Sequence, residues 1–485
     1  MFKFTRSTLY LSMAALLSQP TLAQNPGYEL PDIGTAAAST LTIDQESLYG
    51  DAYMRMLRKS QPIVNDPVLN EYISTLGHQL VASANDVKTP FNFFLIQDRD
   101  INAFAFFGGY VALHSGLFLH AQTESELASV LSHEIAHITQ RHLARAMEDQ
   151  ARRSPATIAA IVGSLLLAIA APQAGIAAIT ATQAGMIQSQ INYTRSNEKE
   201  ADRFGIVTMS KAGFDPQAMP QFFGRLADEF RYVSKPPPML LTHPLPEDRI
   251  TDSRARAQSM PPKRLGPSIE FNLARARVIA RHAGLDSEAA IDWMDRKLKK
   301  AHQDTVPTLK YGKALALLDM RKLDEAETLL VQLDKQDPNN NFYLDALSDL
   351  YLYKKEYDKG LTMLKKALDK KPNNPVLEIN YANLLVESGK YDQATRLLQR
   401  YTHTHPEDVN GWALLANSAG KQGIRDEEAA ARGEIFALKA DWKQAISFYA
   451  EASKLVELGS LKQARYDARI DQLGLQRDRF YALQN

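Results

Sequence analysis

The segment His133-Glu134-Ile135-Ala136-His137 combines residue types that bind a metal ion and activate water. On a helix, residues four apart lie on the same face, so His133 and His137 can offer two imidazoles to one zinc ion. Glu134 lies beside them, where its carboxylate can take a proton from a metal-bound water. This pattern predicts a metal-dependent hydrolase, most often a peptidase.

The neighbouring residues predict the helix that this geometry requires. Thr123 and Glu126 have the spacing of a capping box, which opens helices. No proline or glycine follows before Gln150, and apolar residues recur at helical spacing: Leu127, Val130, Leu131, Ile135 and Ile138. A continuous helix would place His142 off the metal face, which indicates a structural role for it. The alternative for the whole motif is an amphipathic helix with two structural histidines.

A catalytic zinc usually has three protein ligands and one water molecule. The acidic segment 196–203 reads as the start of a helix and offers Glu198 and Glu200 as the third ligand. Spacing alone does not choose between these two carboxylates. Acidic residues are also common at helix starts without any metal, because they complement the helix dipole.

Together these motifs resemble the M48 family of zinc metallopeptidases, in which HExxH is followed, after a hydrophobic stretch, by Glu-x-x-Ala-Asp. Residues 198–202 match that second motif with Glu198 as its first residue. The resemblance implies that Glu198 is the third ligand of one zinc ion and that Glu200 is a bystander. It also implies that Asp202 orients a zinc histidine through a hydrogen bond.

The segment 102–109 is similar to the strand that precedes the zinc helix in this family. Such a strand would lie at the cleft, where Asn102, Ala103 and Phe104 could pair with an extended substrate backbone. A buried strand followed by a glycine turn is the alternative, and the two interpretations are compatible.

His243 begins a segment similar to the family's His-Pro and Glu-Arg-Ile motif, although Asp248 intervenes between Glu247 and Arg249. The resemblance places His243 near the metal, and two roles are open. It could donate a hydrogen bond to the oxyanion of the tetrahedral intermediate. It could instead bind the open zinc position and displace the water, and we favour this gate because the proline-rich surroundings predict a loop.

Composition limits the class of protein. The 485 residues suffice for two or three domains, and 56 basic against 56 acidic residues give no indication of a nucleic-acid partner. The first 23 residues read as a secretory signal cleaved after Ala23, which predicts an exported protein whose mature chain starts near Gln24. The chain has no cysteine, so disulfides and thiolate zinc ligands are excluded.

The apolar run 157–171 is fifteen residues long and is followed by Pro172. About twenty residues are needed to span a bilayer, so a buried helix, a hairpin beside the active site or a peripheral membrane contact through 157–178 is favoured. Membrane-embedded M48 relatives have spanning helices between the two motifs, and their likeness leaves a spanning segment as the alternative.

Beyond the segment 259–267, which predicts a linker, the sequence repeats every 34 residues. The recurring positions are Pro338, Pro372 and Pro406; Ala314, Ser348, Ala382 and Ala416; Leu323, Tyr357 and Tyr391; and Ala326, Gly360 and Ala394. This period is typical of tetratricopeptide repeats. Their concave surface suits extended peptides or partner domains, whereas a rigid spacer is the alternative. Five aromatic residues could line it or serve in packing: Tyr343, Tyr351, Tyr353, Phe448 and Tyr449.

The predicted fold is mainly α (α+β), with a zincin-like domain containing a small sheet and then an all-α repeat solenoid. The predicted boundaries are a signal peptide 1–23, an N-terminal extension 24–42, a peptidase domain 43–258, a linker 259–267 and a repeat domain 268–485.

This order of segments resembles that of M48 proteases of the Gram-negative periplasm, and the resemblance implies the same location for this chain. The resemblance implies a zinc endopeptidase with chaperone-like activity in quality control and assembly of outer-membrane β-barrel proteins. It further implies contacts with stalled barrel proteins, the β-barrel assembly machinery and the lipopolysaccharide-export barrel. The alternative is a chaperone or adaptor whose zinc is structural or permanently capped.

Overall fold

The computed structural model describes residues 41–153 and 184–482, with side chains for 41–149 and 195–482. The predicted signal peptide, nearly all of the N-terminal extension and the apolar segment 157–178 lie outside the described residues. None of the described helices has both the length and the apolar character needed to cross a membrane.

The peptidase part begins with two capped helices. Thr42 caps α1 through a complete capping box with Gln45, and Asp66 caps α2, whose first residue is Pro67. The elements of this part are α1 (Ile43–Ser60), α2 (Pro67–Val81), β1 (Asn92–Ile96), β2 (Ala103–Phe106), β3 (Tyr110–His114), α3 (Leu117–His120), α4 (Glu124–Thr139), α5 (His142–Arg153), α6 (Ala184–Lys211), α7 (Ala218–Glu229), α8 (Pro238–Thr242) and α9 (Glu247–Gln258).

The three strands form one mixed sheet in the order β1-β3-β2. Strand β3 is parallel to β1 and antiparallel to β2, so Ala112 faces Phe94 on one side and Phe104 on the other. Gly108 and Gly109 turn the chain between β2 and β3 with φ of 76° and 80°. A Cβ at Gly109 would lie 1.8 Å from the Pro90 carbonyl oxygen, so only glycine fits this turn. The strand and glycine turn predicted at 102–109 are therefore present.

Helix α4, which carries HExxH, begins as its sequence predicts but ends earlier. Thr123 caps it by accepting from the Glu126 amide, while the Glu126 carboxylate accepts from the Gln122 amide instead of closing the capping box. The helix stops at Thr139, and Arg141 adopts a left-handed conformation with φ of 52°. The expectation of one uninterrupted helix through this region was wrong.

The remaining helices form pairs that follow the predicted repeat. Leu323, Tyr357 and Tyr391 each begin the second helix of a pair, which confirms the 34-residue period. The repeat helices are α10 (Ile269–Arg281), α11 (Ser287–Leu298), α12 (Val306–Asp319), α13 (Leu323–Gln336), α14 (Asn341–Lys354), α15 (Tyr357–Lys370), α16 (Pro375–Glu387), α17 (Tyr391–Thr404), α18 (Val409–Gln422), α19 (Arg425–Ala437), α20 (Trp442–Lys454) and α21 (Leu461–Ala482). The segment predicted as the linker, 259–267, contains neither helix nor strand; the domain boundaries themselves stay a prediction.

One hydrophobic core continues from the peptidase part into the first repeats. It runs from Val64 on the loop before α2 to Val376 on α16, and Phe118 stacks on Phe271 across the junction with ring centroids 6.4 Å apart. Three of the aromatic residues that could have lined a binding surface are buried in packing: Tyr343, Tyr351 and Tyr449.

The first helices of successive repeats contact the peptidase part through polar side chains. Asn341 and Asn374 donate to opposite oxygens of the Glu71 carboxylate on α2, at 2.7 and 2.5 Å. Asn410 donates to the carbonyl oxygen of Asn65 at 2.9 Å. Further along, Arg55 of α1 donates to the Ala437 carbonyl oxygen at 2.6 Å. Part of the repeat surface is thus covered by the chain's own N-terminal helices.

Candidate active site

Four side chains converge between α4, α6 and the loop after α8. One ligand atom from each of His133, His137, Glu198 and His243 lies within 4.8 Å of the others. His133 Nε2 lies 3.0 Å from His137 Nε2 and 3.3 Å from Glu198 Oε2, and His137 Nε2 lies 3.4 Å from Glu198 Oε1. Ligands at zinc distances in a tetrahedron are about 3.3 Å apart, so this donor set and spacing fit zinc.

Helix packing brings these groups together. Helix α6 packs directly on α4, and a Cβ at Gly205 would lie 3.1 Å from the His133 backbone nitrogen. The absence of a side chain there lets the two backbones approach closely. Because Glu198 and Asp202 are four residues apart on α6, both face α4, whereas Glu200 points elsewhere. The structure therefore brings Glu198, and not Glu200, to the two histidines.

Asp202 lies behind His133, on the side away from the other ligands. Its Oδ1 is 2.9 Å from His133 Nδ1, and both side chains are buried. Arg249, which is 1% exposed, donates two hydrogen bonds of 2.8 Å to Asp202 and lies 2.8 Å from Glu198. Its guanidinium also donates to the Pro244 carbonyl oxygen at 2.7 Å, which ties the loop bearing His243 to the same carboxylates.

The charged groups shift each other's pKa strongly. Burial lowers the pKa of His133, but hydrogen bonds to Asp202 and Glu198 outweigh it and raise this pKa to about 10. Burial lowers the pKa of His137 to about 3, so its ring is neutral. Burial would raise the pKa of Glu198, but the charge of His243 and the hydrogen bond from His133 hold it well below its usual range. Metal binding must therefore displace a proton from His133.

His243 completes the group from the loop side. Its Nδ1 is 3.1 Å from both oxygens of Glu198 and 3.4 Å from His133 Nε2. Its Nε2 is 3.6 Å from Glu134 Oε1, an atom that is buried and has no hydrogen-bond partner among the described residues. Although burial lowers the pKa of His243, the charges of Glu198 and Glu134 raise it overall. His243 thus lies between the ligands and the Glu134 carboxylate.

The predicted substrate strand is present, but its side chains are covered. Ala103 and Phe104 lie on β2, which is one of the two edge strands of the described sheet, and Asn102 directly precedes it. Asn102, Ala103 and Phe104 are 2%, 0% and 6% exposed, so any pairing with a substrate would use backbone groups. Strand β2 packs against α4, which carries the metal-binding motif.

Two groups near the metal ligands were not identified from the sequence. The sequence predicted Arg249 as part of a motif but assigned it no role. In the structure its buried guanidinium lies between the carboxylates of Glu198 and Asp202. His142 was predicted to lie off the metal face, and that placement was wrong: its Nδ1 lies 2.9 Å from His137 Nδ1. The break after α4 is the physical reason, because it turns His142 back toward the metal ligand.

Comparisons with known proteins agree with this geometry. The model of "Peptidase family M48" matches residues 67–257, and a tetratricopeptide repeat model matches 351–417. A relative from Vibrio cholerae serotype O1 is 68% identical over 480 residues, which is 99% of each chain. Proteins named beta-barrel assembly-enhancing protease are 49% identical in Yersinia pestis, covering 93% of each chain, and 47% identical in Escherichia coli K12, covering 99% of each chain.

Proposed function

Because this chain belongs to peptidase family M48 and is a zinc metalloendopeptidase, we propose that it cleaves stalled outer-membrane β-barrel proteins and assists the assembly of others. The observation that carries the chemistry is the convergence of His133, His137 and Glu198 beside the buried carboxylate of Glu134. The client class rests on end-to-end similarity to proteases named for β-barrel assembly.

Each residue of the site has a separate role in hydrolysis. His133, His137 and Glu198 would hold the zinc ion, which would supply Lewis-acid chemistry at the scissile carbonyl and make a water molecule more acidic. Glu134 accepts the proton of the attacking water on its unpartnered Oε1 and passes it to the leaving amine. Asp202 Oδ1 lies 2.9 Å from His133 Nδ1, where it can stabilise the tautomer that leaves Nε2 of that ring for the metal.

We further propose that His243 acts as a gate. Its Nδ1 approaches Glu198 and His133 at 3.1 and 3.4 Å, which is the spacing expected between ligands of one zinc ion. A ring in this position excludes the water that Glu134 would activate. Substrate entry would then require the loop of His243 to move. An oxyanion role remains the competing hypothesis, since the same ring could donate to a bound substrate from a displaced loop.

The His243→Ala variant separates these two roles. A gate predicts that proteolysis of an unfolded protein such as casein increases several-fold, with one zinc retained per chain. An oxyanion role predicts a lower kcat with similar zinc content. X-ray absorption should show one imidazole ligand fewer on the bound zinc of the variant, with water in its place, if the gate is correct.

Client specificity needs its own experiment. We expect an unfolded outer-membrane β-barrel protein to be cleaved with a higher kcat/KM than unfolded casein, and the Glu134→Gln variant to retain binding of the barrel protein without cleaving it. Equal kcat/KM for both substrates would indicate a general scavenging peptidase. One zinc per chain with no cleavage by any variant would indicate an adaptor with structural zinc.

We also propose a periplasmic location and contacts with the β-barrel assembly machinery and the lipopolysaccharide-export barrel. Proteins of this name support an envelope role. Crosslinking from exposed positions on the repeats in living cells, followed by identification of the captured proteins, tests both contacts. Capture of neither complex would restrict the proposal to the client proteins alone.

A further inference from the structure

The chain bends sharply between α4 and α5. Arg141 occupies the left-handed region with φ of 52°, which is unfavourable for a side chain with a Cβ. Its guanidinium is buried and bonded to the Glu46 carboxylate of α1 at 2.6 and 2.9 Å, and it donates to the Leu41 carbonyl oxygen at 2.6 Å. These contacts hold the chain in a turn that directs His142 back over the preceding helix.

The turn places one histidine ring directly behind another. His142 Nδ1 lies 2.9 Å from His137 Nδ1, with ring centroids 4.8 Å apart and planes at 82°. The Nε2 atom of His137 is the one that faces His133 and Glu198. A ring that binds metal through Nε2 keeps its proton on Nδ1, so His137 must donate to His142 Nδ1.

The positions of the remaining protons follow from the contacts of three further groups, which are His142, Glu200 and Arg145. Because His142 accepts on Nδ1, its own proton is on Nε2, which lies 3.0 Å from Glu200 Oε2. The same carboxylate oxygen accepts from Arg145 at 2.7 Å. The series His137–His142–Glu200–Arg145 therefore has a donor facing an acceptor at every contact. It parallels His133–Asp202–Arg249 on the opposite side of the site.

We propose that His142 and Glu200 are positioning residues that fix the tautomer and orientation of the zinc ligand His137. This inference rests on the zinc endopeptidase function and deepens it. It assigns a role to Glu200, which the sequence motif leaves as a bystander. Hydrogen-bond partners of zinc histidines typically contribute 10-fold to 100-fold to metal affinity, so a loss of roughly that size is expected when the series is broken.

The test compares two substitutions at one position. In His142→Leu the apolar side chain fills the buried site but offers no acceptor to His137. In His142→Asn the amide oxygen can take the place of Nδ1 as the acceptor. We expect zinc affinity, measured by competition with a chromogenic chelator, to fall about 10-fold to 100-fold in His142→Leu and only a few-fold in His142→Asn. At saturating zinc, kcat should fall in His142→Leu while KM stays near that of the wild type.

His120→Leu provides the matched control. His120 also faces a carboxylate, with Nδ1 3.5 Å from Glu229 Oε1, but it is remote from the metal ligands. Its zinc affinity should equal that of the wild type. Thermal unfolding of each metal-free variant checks that the chain folds, and Glu200→Ala offers a second break in the series at a side chain that is 25% exposed.

Unchanged zinc affinity in His142→Leu or in Glu200→Ala would overturn the inference, as would equal losses in His142→Leu and His142→Asn, because equal losses would indicate packing. If the wild type itself binds no zinc, the enzymatic function fails together with the inference. If the wild type binds one zinc and cleaves, and His142→Leu does so equally well, the inference alone fails.

Discussion

The carboxylate of Glu134 is buried at 1% exposure, and its Oε1 lies 3.6 Å from His243 Nε2. Its Oε1 has no hydrogen-bond partner among the described residues, which is costly unless the atom has a chemical task. We expect Glu134→Gln to keep one zinc per chain and to lose at least about 100-fold in kcat, because an amide cannot accept the proton of water.

Zinc content by mass spectrometry of the native protein and cleavage of unfolded casein check this expectation together. The Glu229→Gln variant, which alters an exposed carboxylate beside His120, should retain full activity. Retained cleavage by zinc-loaded Glu134→Gln would show that another group is the base.

For individual residues, the sequence could identify candidate metal ligands but could not choose between them by spacing. Glu198 and Glu200 lie only two residues apart, so their distance from HExxH along the chain does not distinguish them. The choice depends on the phase of α6, in which Glu198 and Asp202 share the face toward α4 while Glu200 faces His142. That phase is set by the packing of α6 on α4. The two helices are far apart along the chain, so no local sequence pattern contains this information.

Helices α4 and α6 approach each other at a glycine. A Cβ at Gly205 would lie 3.1–3.2 Å from backbone atoms of Ser132 and His133, so one helix would have to shift. At Gly224 on α7 a Cβ would meet nothing within 4 Å. We therefore expect Gly224→Ala to stabilise the protein by about 0.5–1 kcal/mol through helix propensity.

Gly205→Ala should lack this gain and should also weaken zinc binding, since the shift separates Glu198 from the two histidines. Urea unfolding and chelator competition on both variants measure the two effects. Equal stabilisation by both substitutions with unchanged zinc affinity would mean that the helix pair accommodates a methyl group without cost.

The elements themselves show where local sequence is sufficient. Thr123 caps the start of α4, and positions that recur every 34 residues mark the starts of repeat helices. Helix caps and periodic small residues act locally, so the sequence alone can indicate both. The end of α4 at Thr139 has no proline or glycine signal. It depends on Arg141 reaching Glu46, a residue 95 positions earlier, so only the tertiary structure could reveal it.

Across the whole molecule, a buried ion network joins the two parts. Arg277 of α10 lies 2.6 Å from Asp66 at the start of α2 and 2.7 Å from Asp345 of α14, and it donates to the Tyr311 hydroxyl at 2.9 Å. Replacing Arg277 by methionine leaves two buried carboxylates without their cation. We expect the free energy of unfolding to fall by about 3–5 kcal/mol.

Lys313→Met is the matched surface control, because Lys313 pairs with Asp295 at 2.7 Å where both side chains are 28% and 43% exposed. Exposed pairs contribute about 0–1 kcal/mol. Urea unfolding of the two variants compares them, and a similar loss in both would mean that the Arg277 network does not hold the parts together.

The same junction should respond to pH through Asp349. Burial raises the pKa of Asp349 to about 6 from its ordinary 3.8, and the neighbouring Asp345 carboxylate adds to this, against the charge of Arg281. The folded protein therefore binds this proton more tightly than the unfolded chain. The resulting stabilisation is lost as pH rises through about 6 and is complete below about 4.

We expect the wild type to gain stability relative to Asp349→Asn as the pH falls from 7.5 to 4.5. The difference between their melting temperatures, measured at several pH values, isolates this group from the others. Parallel curves over that range would show that Asp349 does not titrate there.

For the molecule as a whole, the sequence predicted the repeats, but not which of their surfaces the peptidase part occupies, because those contacts join residues hundreds of positions apart.

The contacts of helix α1 have a consequence for the order in which the protein folds. Its Arg55 reaches the Ala437 carbonyl oxygen, 382 residues later, and its Glu46 holds the bend that carries His142 toward the zinc ligands. A chain is synthesised from its N-terminus, so α1 emerges first and finds its last partner only when nearly all repeats exist. We therefore expect a chain that ends before Ala437 to lack a fully anchored α1 and to cleave casein more slowly than the 485-residue chain.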